Sequence, residues 1–306
     1  MTTVFCLYYI LSKLIFLLCY ALIPKKGAFW NKLRLKLENR IFFSPRIKKI
    51  YPVIPELKNE IEAIKLITRD CVKIYGWYVN PNNESTVAVF CHGQSENISK
   101  WQNTVLFLKK AGIGSLFLSY RGHYRSAGLP SEQGIYTDAE CAIEFLHKKG
   151  IKSENIIFWG RSLGSCVACE IALKYKLKAV ILESAIYDIK TAAITISDMY
   201  LKRIKLQNLK PFVEKLFEQN RFIQNFENNK KIEKIECPIL ILHSKEDKKI
   251  PYNIAKELHK LNKNSTLFLS EEGSHNSNEW CLDRVKEFFK ELNLVENINE
   301  AYQDQK

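Results

Sequence analysis

From about residue 61 onward the spacing of apolar residues switches repeatedly between two periods. "EAIKLI" and "CVKIYGWYV" predict two strands of an antiparallel entry. "TVAVFCH", "GSLFLSY", "NIIFWG", "KAVILES", "CPILILHS" and "STLFLS" are short apolar runs that do not alternate. That is the pattern of parallel strands buried on both faces. Residues 98–112, 131–150, 163–175, 252–261 and 277–292 carry helical spacing between them. Strands alternating with helices of this length make βαβ units in one sheet, covered by helices on both sides, so the predicted class is α/β. Residues 185–236 interrupt the alternation with amphipathic helical sequence, "TAAITISDMYLKRIKL" and "KPFVEKLFEQNRFIQNF". The stretch is too long for a simple crossover. It predicts a lid inserted over the carboxyl ends of the strands, where open α/β sheets bind their ligands.

The N-terminal pattern is different. "VFCLYYILSKLIFLLCYALI", residues 4–23, holds one charge, Lys13. About 20 apolar residues span a bilayer as a helix. A cleaved secretory signal would want positive charge ahead of the apolar run and a small-x-small site behind it, and a buried core helix would show a polar face. The expected layout is therefore a transmembrane anchor over 1–24, a basic juxtamembrane segment over 25–60, and one domain over 61–306. In "FWNKLRLKLENRIFF" the stripe Trp30, Leu33, Leu37 and Ile41 predicts an amphipathic helix, with Lys32, Arg34 and Lys36 elsewhere around it. It either lies on lipid headgroups or packs on the domain.

Composition and charge sharpen this reading. The net charge is +13 over 306 residues. Zinc-finger spacing and RNA-binding signatures are missing, and the positive charges crowd behind the apolar run, at Lys25, Lys26, Lys32, Arg34, Lys36, Arg40, Arg46, Lys48 and Lys49. That placement points to membrane lipids as partner rather than nucleic acid. It also puts the domain on the cytoplasmic side of a single-pass protein. Nine cysteines scattered singly through apolar segments suit reduced, buried thiols better than a disulfide framework. Cys166 and Cys169 form a CxxC, but the second ligand pair of a zinc site is missing, so they are expected to pack. No metal or cofactor is implied.

The candidate chemistry sits in "NIIFWGRSLGSCVACEIAL". Ser162 lies between Gly160 and Gly164, where a buried strand is predicted to turn into a helix. A sharp turn there strains the serine and crowds the residues two before and two after it, and glycine removes the Cβ atoms that would clash. The alternative is that the glycines serve helix–strand packing and Ser162 caps the helix. A serine nucleophile needs a base, and the base an orienting acid, in the chain order Ser, Asp/Glu, His. Of the histidines after Ser162, His259 falls mid-helix and His243 ends a strand, whereas His275 lies in the loop "SEEGSHN" after the last strand. Asp247, in "HSKEDKKIP", is the candidate acid. Asp188 and Glu183 are the runners-up, and Asp198 reads as a surface residue of the insert. The backbone N–H groups of Leu163 and Gln94 are the candidate oxyanion donors. His92 is read as a structural residue of the Gln94 loop.

Together "CHGQSENIS", "SYRGHYRSAGLPSEQGIYTDAECAIEFL", "WGRSLGS", "CPILILHSKEDKKIP" and "EGSHN" resemble the α/β-hydrolase superfamily, and within it the Bem46-like branch with its membrane-anchored domain-thirteen type. The resemblance runs from about residue 61 to 292. It implies a serine hydrolase, with the family's triad falling on Ser162, Asp247 and His275. Three positions depart from the family pattern: Gln94 stands for an asparagine, and Tyr124 and Ser244 for glycines, while Asn97 is kept. The resulting expectation is a membrane-anchored enzyme cleaving an ester or thioester of a lipid or acylated protein. The rivals are a catalytically weak scaffold on the same fold and an acyltransferase using the same triad.

Overall fold

Among the described residues, eight strands form one sheet: β1 (Glu62–Ile67), β2 (Lys73–Val79), β3 (Val87–Cys91), β4 (Gly114–Ser119), β5 (Ile156–Arg161), β6 (Ala179–Glu183), β7 (Ile239–Ser244) and β8 (Ser265–Ser270). The computed structural model describes residues 20, 23, 27–43, 50–81, 86–219 and 222–295. Apart from Tyr20 and Ile23, the expected membrane span 4–23 lies outside the described residues. Among those described, no helix is long and apolar enough to cross a membrane.

The strand order is β1-β2-β4-β3-β5-β6-β7-β8. β1–β2 and β2–β4 are antiparallel, and the other pairs are parallel. Every residue of β3, β4, β5, β6 and β7 is buried, which is why those runs do not alternate in the sequence. Successive residues still feed opposite layers. Val87, Val89 and Cys91 join one core, and Ala88 and Phe90 the other. Phe90 stacks on Phe117 with centroids 4.8 Å apart and meets Trp159 edge-on at 5.6 Å.

The helices are α1 (Ala28–Phe42), α2 (Gln102–Lys110), α3 (Glu132–Lys148), α4 (Gly164–Lys174), α5 (Ile189–Arg203), α6 (Lys210–Gln219), α7 (Asn228–Lys231), α8 (Asn253–Lys260) and α9 (Leu282–Glu291). Ile135, Ala139 and Ile143 of α3, Val167 of α4 and Leu258 of α8 pack on one face of the sheet. Val105 and Leu108 of α2 and Val285 and Phe289 of α9 pack on the other. The expected helix over 98–112 is two pieces, a 3-10 turn at Ile98–Lys100 and then α2. Asn97 causes the break, because its side chain accepts the Ser99 N–H at 3.0 Å and starts the first turn early. The closing helix divides in the same way, into Glu279–Cys281 and α9.

Between β6 and β7 the chain leaves the sheet through α5, α6 and α7. Asp188 caps α5 by accepting the Thr191 N–H at 2.6 Å. A strap at residues 222–226 leads back toward the sheet, and it is held by two carboxylates. Glu38 of α1 accepts the N–H groups of Ile223 (2.7 Å) and Gln224 (2.9 Å). Glu132 of α3 accepts those of Asn225 (2.7 Å) and Phe226 (2.9 Å). The face α1 buries therefore differs from the predicted stripe. Arg34, Glu38 and Phe42 are buried, while Trp30 is exposed and Leu33 and Leu37 are only half-buried. A carboxylate facing unpaired amides outweighs apolar periodicity here, because buried N–H groups need an acceptor.

Glu132→Ala leaves the amide of the buried Phe226 without its acceptor, and the expected outcome is a loss of about 1–3 kcal/mol of stability. Urea denaturation should show a lower midpoint with an unchanged slope.

Candidate active site

β5 ends at Arg161 and α4 begins at Gly164, so Ser162 and Leu163 alone make the turn. Ser162 is forced to a φ of +51°, a left-handed conformation that costs a non-glycine residue about 1–3 kcal/mol. Its N–H donates to the Glu183 carbonyl at 2.8 Å, and its carbonyl accepts from the Ser165 N–H at 3.0 Å and the Ser165 hydroxyl at 2.6 Å. A Cβ on Gly160 would lie 2.4 Å from the Gly164 carbonyl oxygen, and one on Gly164 would lie 1.9 Å from that of Cys91. The turn thus needs glycine at both positions, and the helix starts directly beneath the serine.

His275 reaches this turn from the loop after β8. Its Nε2 is 3.2 Å from Ser162 Oγ, and its Nδ1 is 2.7 Å from Asp247 Oδ2. Asp247 lies just past β7, where its Oδ1 accepts the N–H groups of Lys249 (2.8 Å) and Ile250 (3.0 Å). His243 Nε2 stands 3.4 Å from Oδ2. Burial opposes the charge on Asp247, but the hydrogen bonds from His243, His275 and the backbone hold its pKa far below the usual carboxylate range. Burial lowers the His275 pKa below its ordinary value, and Asp247 recovers part of that shift. The imidazole is therefore neutral at pH 7. With an ionised acceptor at Nδ1, that nitrogen carries the proton and Nε2 is free to accept from the serine hydroxyl.

The other candidates have other partners. Glu183 receives Arg161 Nε at 2.7 Å and Trp159 Nε1 at 3.0 Å. Asp198 pairs with Lys202 on α5, and Asp188 is engaged as the α5 cap. His259 Nδ1 meets Ser265 Oγ at 2.7 Å, so it ties α8 to β8 rather than lying on a solvated face. His92 is buried with Nδ1 2.8 Å from the Gly93 carbonyl, and burial together with His123 pulls its pKa down to about 3. Cys166 and Cys169 are free and buried, and burial raises both thiol pKa values, that of Cys169 to about 12. Among the described residues no three His, Cys, Asp or Glu side chains gather as a metal site would require.

Leu163 opens α4, where helix N–H groups point outward. Across from it is the loop after β3. There the Gly93 N–H is taken by Glu96 Oε2 at 3.1 Å, and the Gln94 carbonyl accepts from His123 Nε2 at 3.1 Å. Tyr124, where the family pattern has glycine, adopts a φ of +45° and rests against Trp77.

Ser162, His275, Gln94 and Leu163 open onto one cavity of about 80 Å3. Its apolar wall is Ile189, Ala192, Ala193 and Ile196, one face of α5, with Ile186 and Phe42. Its polar side is Glu96, Arg161 and Lys249. Sequence reasoning missed Phe42 and these three charged residues. Arg161 was visible inside the GxSxG, but nothing local distinguishes a buried arginine from a solvated one.

A strained serine at a strand-to-helix turn of a mostly parallel sheet, with an imidazole and a carboxylate in line behind it, defines the nucleophile-elbow class. A family model described as "Serine aminopeptidase, S33" matches residues 82–230. The Saccharomyces cerevisiae "Uncharacterized membrane protein YNL320W" is 35% identical over 134 residues, 42% of this chain and 47% of that protein. The human "Protein ABHD12B" is 27% identical over 252 residues, 77% of this chain and 65% of its own length. The chain thus spans about half to two thirds of these relatives. Among solved structures, an α/β hydrolase from Vibrio vulnificus superposes with a TM-score of 0.68 at 22% identity, over 87% of this chain and 95% of that one. The Pyrococcus furiosus esterase Pf2001 gives 0.62 at 23% identity, over 81% and 99%. The chain has the α/β-hydrolase fold, and over residues 82–230 it is similar to the proteins that the family model describes.

Gly164→Ala drives a Cβ into the Cys91 carbonyl. The expected outcome is a loss of about 3 kcal/mol or more, read as a fall in thermal midpoint or in folded yield.

Proposed function

We propose that the chain is a membrane-attached serine hydrolase that cleaves an ester or thioester with a short acyl group, or presents only the end of a longer one to the nucleophile. The observation that carries this reading is the hydrogen-bonded series Asp247–His275–Ser162 at the end of β5. Ser162 Oγ attacks the acyl carbon while His275 Nε2 takes the hydroxyl proton, and Asp247 stabilises the resulting imidazolium. The backbone N–H groups of Gln94 and Leu163 hold the oxyanion. Collapse of the tetrahedral intermediate expels the alcohol or thiol, which receives the proton from His275. Water, deprotonated by the same imidazole, then releases the acid from the acyl-serine.

The apolar wall supports an acyl rather than a sugar or phosphate substrate. Its volume supports a short acyl group, since about 80 Å3 is well under the roughly 300–1,000 Å3 of sites that enclose whole drug-sized ligands. Membrane attachment rests on residues 4–23 and the basic flank behind them, and on the membrane protein among the relatives. The positive flank favours a cytoplasmic domain. The partners on this reading are membrane lipids at the N-terminus and an acylated lipid or protein at the cavity.

A fluorophosphonate probe should label the full chain, and Ser162→Ala should abolish labelling while leaving the thermal midpoint unchanged or raised. Absence of labelling in the unaltered protein sinks the reading. Because His275 must be neutral to act and its pKa is lowered, activity should be level through neutral pH. It should fall only as pH drops through a value below about 6.5. Among p-nitrophenyl esters of graded length the shortest chains should be turned over best, and Ala192→Leu should narrow that range further.

A further inference from the structure

Arg161 precedes the nucleophile and is fully buried. Its guanidinium donates in three directions. Nε reaches Glu183 Oε1 at 2.7 Å, Nη1 reaches Glu96 Oε1 at 2.7 Å, and Nη2 reaches the carbonyl oxygen of His275. The cation also lies 4.5 Å from the centroid of the Trp101 ring. Glu96 passes the connection on, because its other oxygen accepts the Gly93 N–H at 3.1 Å. Lys100 Nζ donates to Glu96 Oε1 at 3.1 Å and to the Asn276 carbonyl. Lys249 Nζ donates to Asn276 Oδ1 at 2.7 Å.

On the reading given above, we infer that Arg161 and Glu96 are positioning residues. They lock the oxyanion loop at Gly93–Gln94 and the base loop at His275 to the nucleophile turn.

The argument is one of targets. A buried ion pair is often replaceable by apolar side chains of equal volume without loss of stability. Here an apolar replacement would fill the space but leave the His275 carbonyl and the Gly93 N–H without partners. Both groups belong to the backbone of the loops that carry the base and the oxyanion donor. Arg161 is covalently adjacent to Ser162, so one planar group references the base, the oxyanion loop and the nucleophile to one another. The rigid fork of arginine suits this task, and a lysine ammonium could not span the three acceptors. Glu96 stays ionised beside it. Burial opposes charge on Glu96, yet Arg161 and Lys100 bring its pKa down to about 2. Positioning of this kind acts on the reaction geometry, where a displacement of about 1 Å can cost on the order of 10²-fold in rate.

The test uses the full chain in detergent, with Glu96→Gln and Arg161→Lys. For each, kcat and KM on a short p-nitrophenyl ester are measured beside amide hydrogen exchange of residues 92–97, 273–277 and helix α4. The expected result is a fall in kcat on the order of 10²-fold with KM within about threefold of the unaltered value. Exchange should quicken in both loops together while α4 keeps its protection. Unchanged exchange in the two loops overturns the inference, as does an unchanged kcat in an active enzyme. Glu96→Gln, nearly isosteric and in a loop, decides the matter whether or not Arg161→Lys folds. If the unaltered protein neither turns over esters nor takes the probe, the hydrolase reading fails by itself, and the paired exchange of the loops still judges the positioning.

Discussion

Two backbones cannot touch where either carries a β-carbon, and the geometry of this molecule around Ser162 follows from that limit. The start of α4 approaches β3 so closely that no side chain fits at Gly164, and the last residues of β5 approach α4 so closely that none fits at Gly160. Only this double approach lets the chain reverse from strand to helix in two residues. The reversal places Ser162 in a left-handed conformation, with its hydroxyl clear of the sheet and the first N–H groups of α4 beneath it. The strain is held by the ladder bond from Ser162 to Glu183 and by the Ser165 hydroxyl beneath it. Ser165 is in turn held by Asn228 of α7, whose amide also donates to the Ile186 carbonyl. The insert between β6 and β7 and the Ser162 turn thus brace each other.

A second constraint is the removal of water. Asp247, Glu183, Glu96 and Arg161 all lie where a lone charge would be costly. Each is paired or bonded to backbone N–H groups; the pairing outweighs burial at Asp247 and Glu96, whereas at Glu183 burial wins and raises the pKa. The histidines divide by the same rule. His92 has no ionised neighbour strong enough to offset burial and is driven to about 3. His275 has Asp247 at 2.7 Å, which recovers part of the shift. The two buried imidazoles therefore differ in having an ionised carboxylate within hydrogen-bonding distance.

What could be read from the sequence was what repeats locally or is punctuated by glycine. Six non-alternating apolar runs and the two-strand antiparallel entry located the eight described strands, two of them, "EAIKLI" and "STLFLS", to the residue. The elbow was legible because Gly160 and Gly164 flank Ser162 at fixed spacing. The order of Asp247 and His275 along the chain, at successive strand ends, made them candidates that the fold brings within hydrogen-bonding distance of one another and of Ser162. The missing parts are long-range pairings of charged side chains. Glu96 and Arg161 are 65 residues apart, and Glu38 and Ile223 are 185 apart. No period or motif marks such pairs, and each residue alone looks like a solvated charge. The same blindness produced the stripe assigned to α1, where hydrophobic spacing was followed and a buried Arg34–Glu38 line was overlooked.

That line changes what the N-terminal segment is. A helix lying only on headgroups would face its apolar residues to lipid and its charges to water. α1 instead turns Glu38 toward strap amides and sets Phe42 into the wall of the cavity. Tyr20, just ahead of it in the chain, donates its hydroxyl to Glu38 and stacks on Phe222 of the strap with centroids 5.3 Å apart. A segment that follows the apolar stretch directly therefore contributes to the wall of the cavity beside Ser162 and is bonded to the strap. Tyr20 itself belongs to the apolar stretch 4–23, so the end of that stretch packs on the strap.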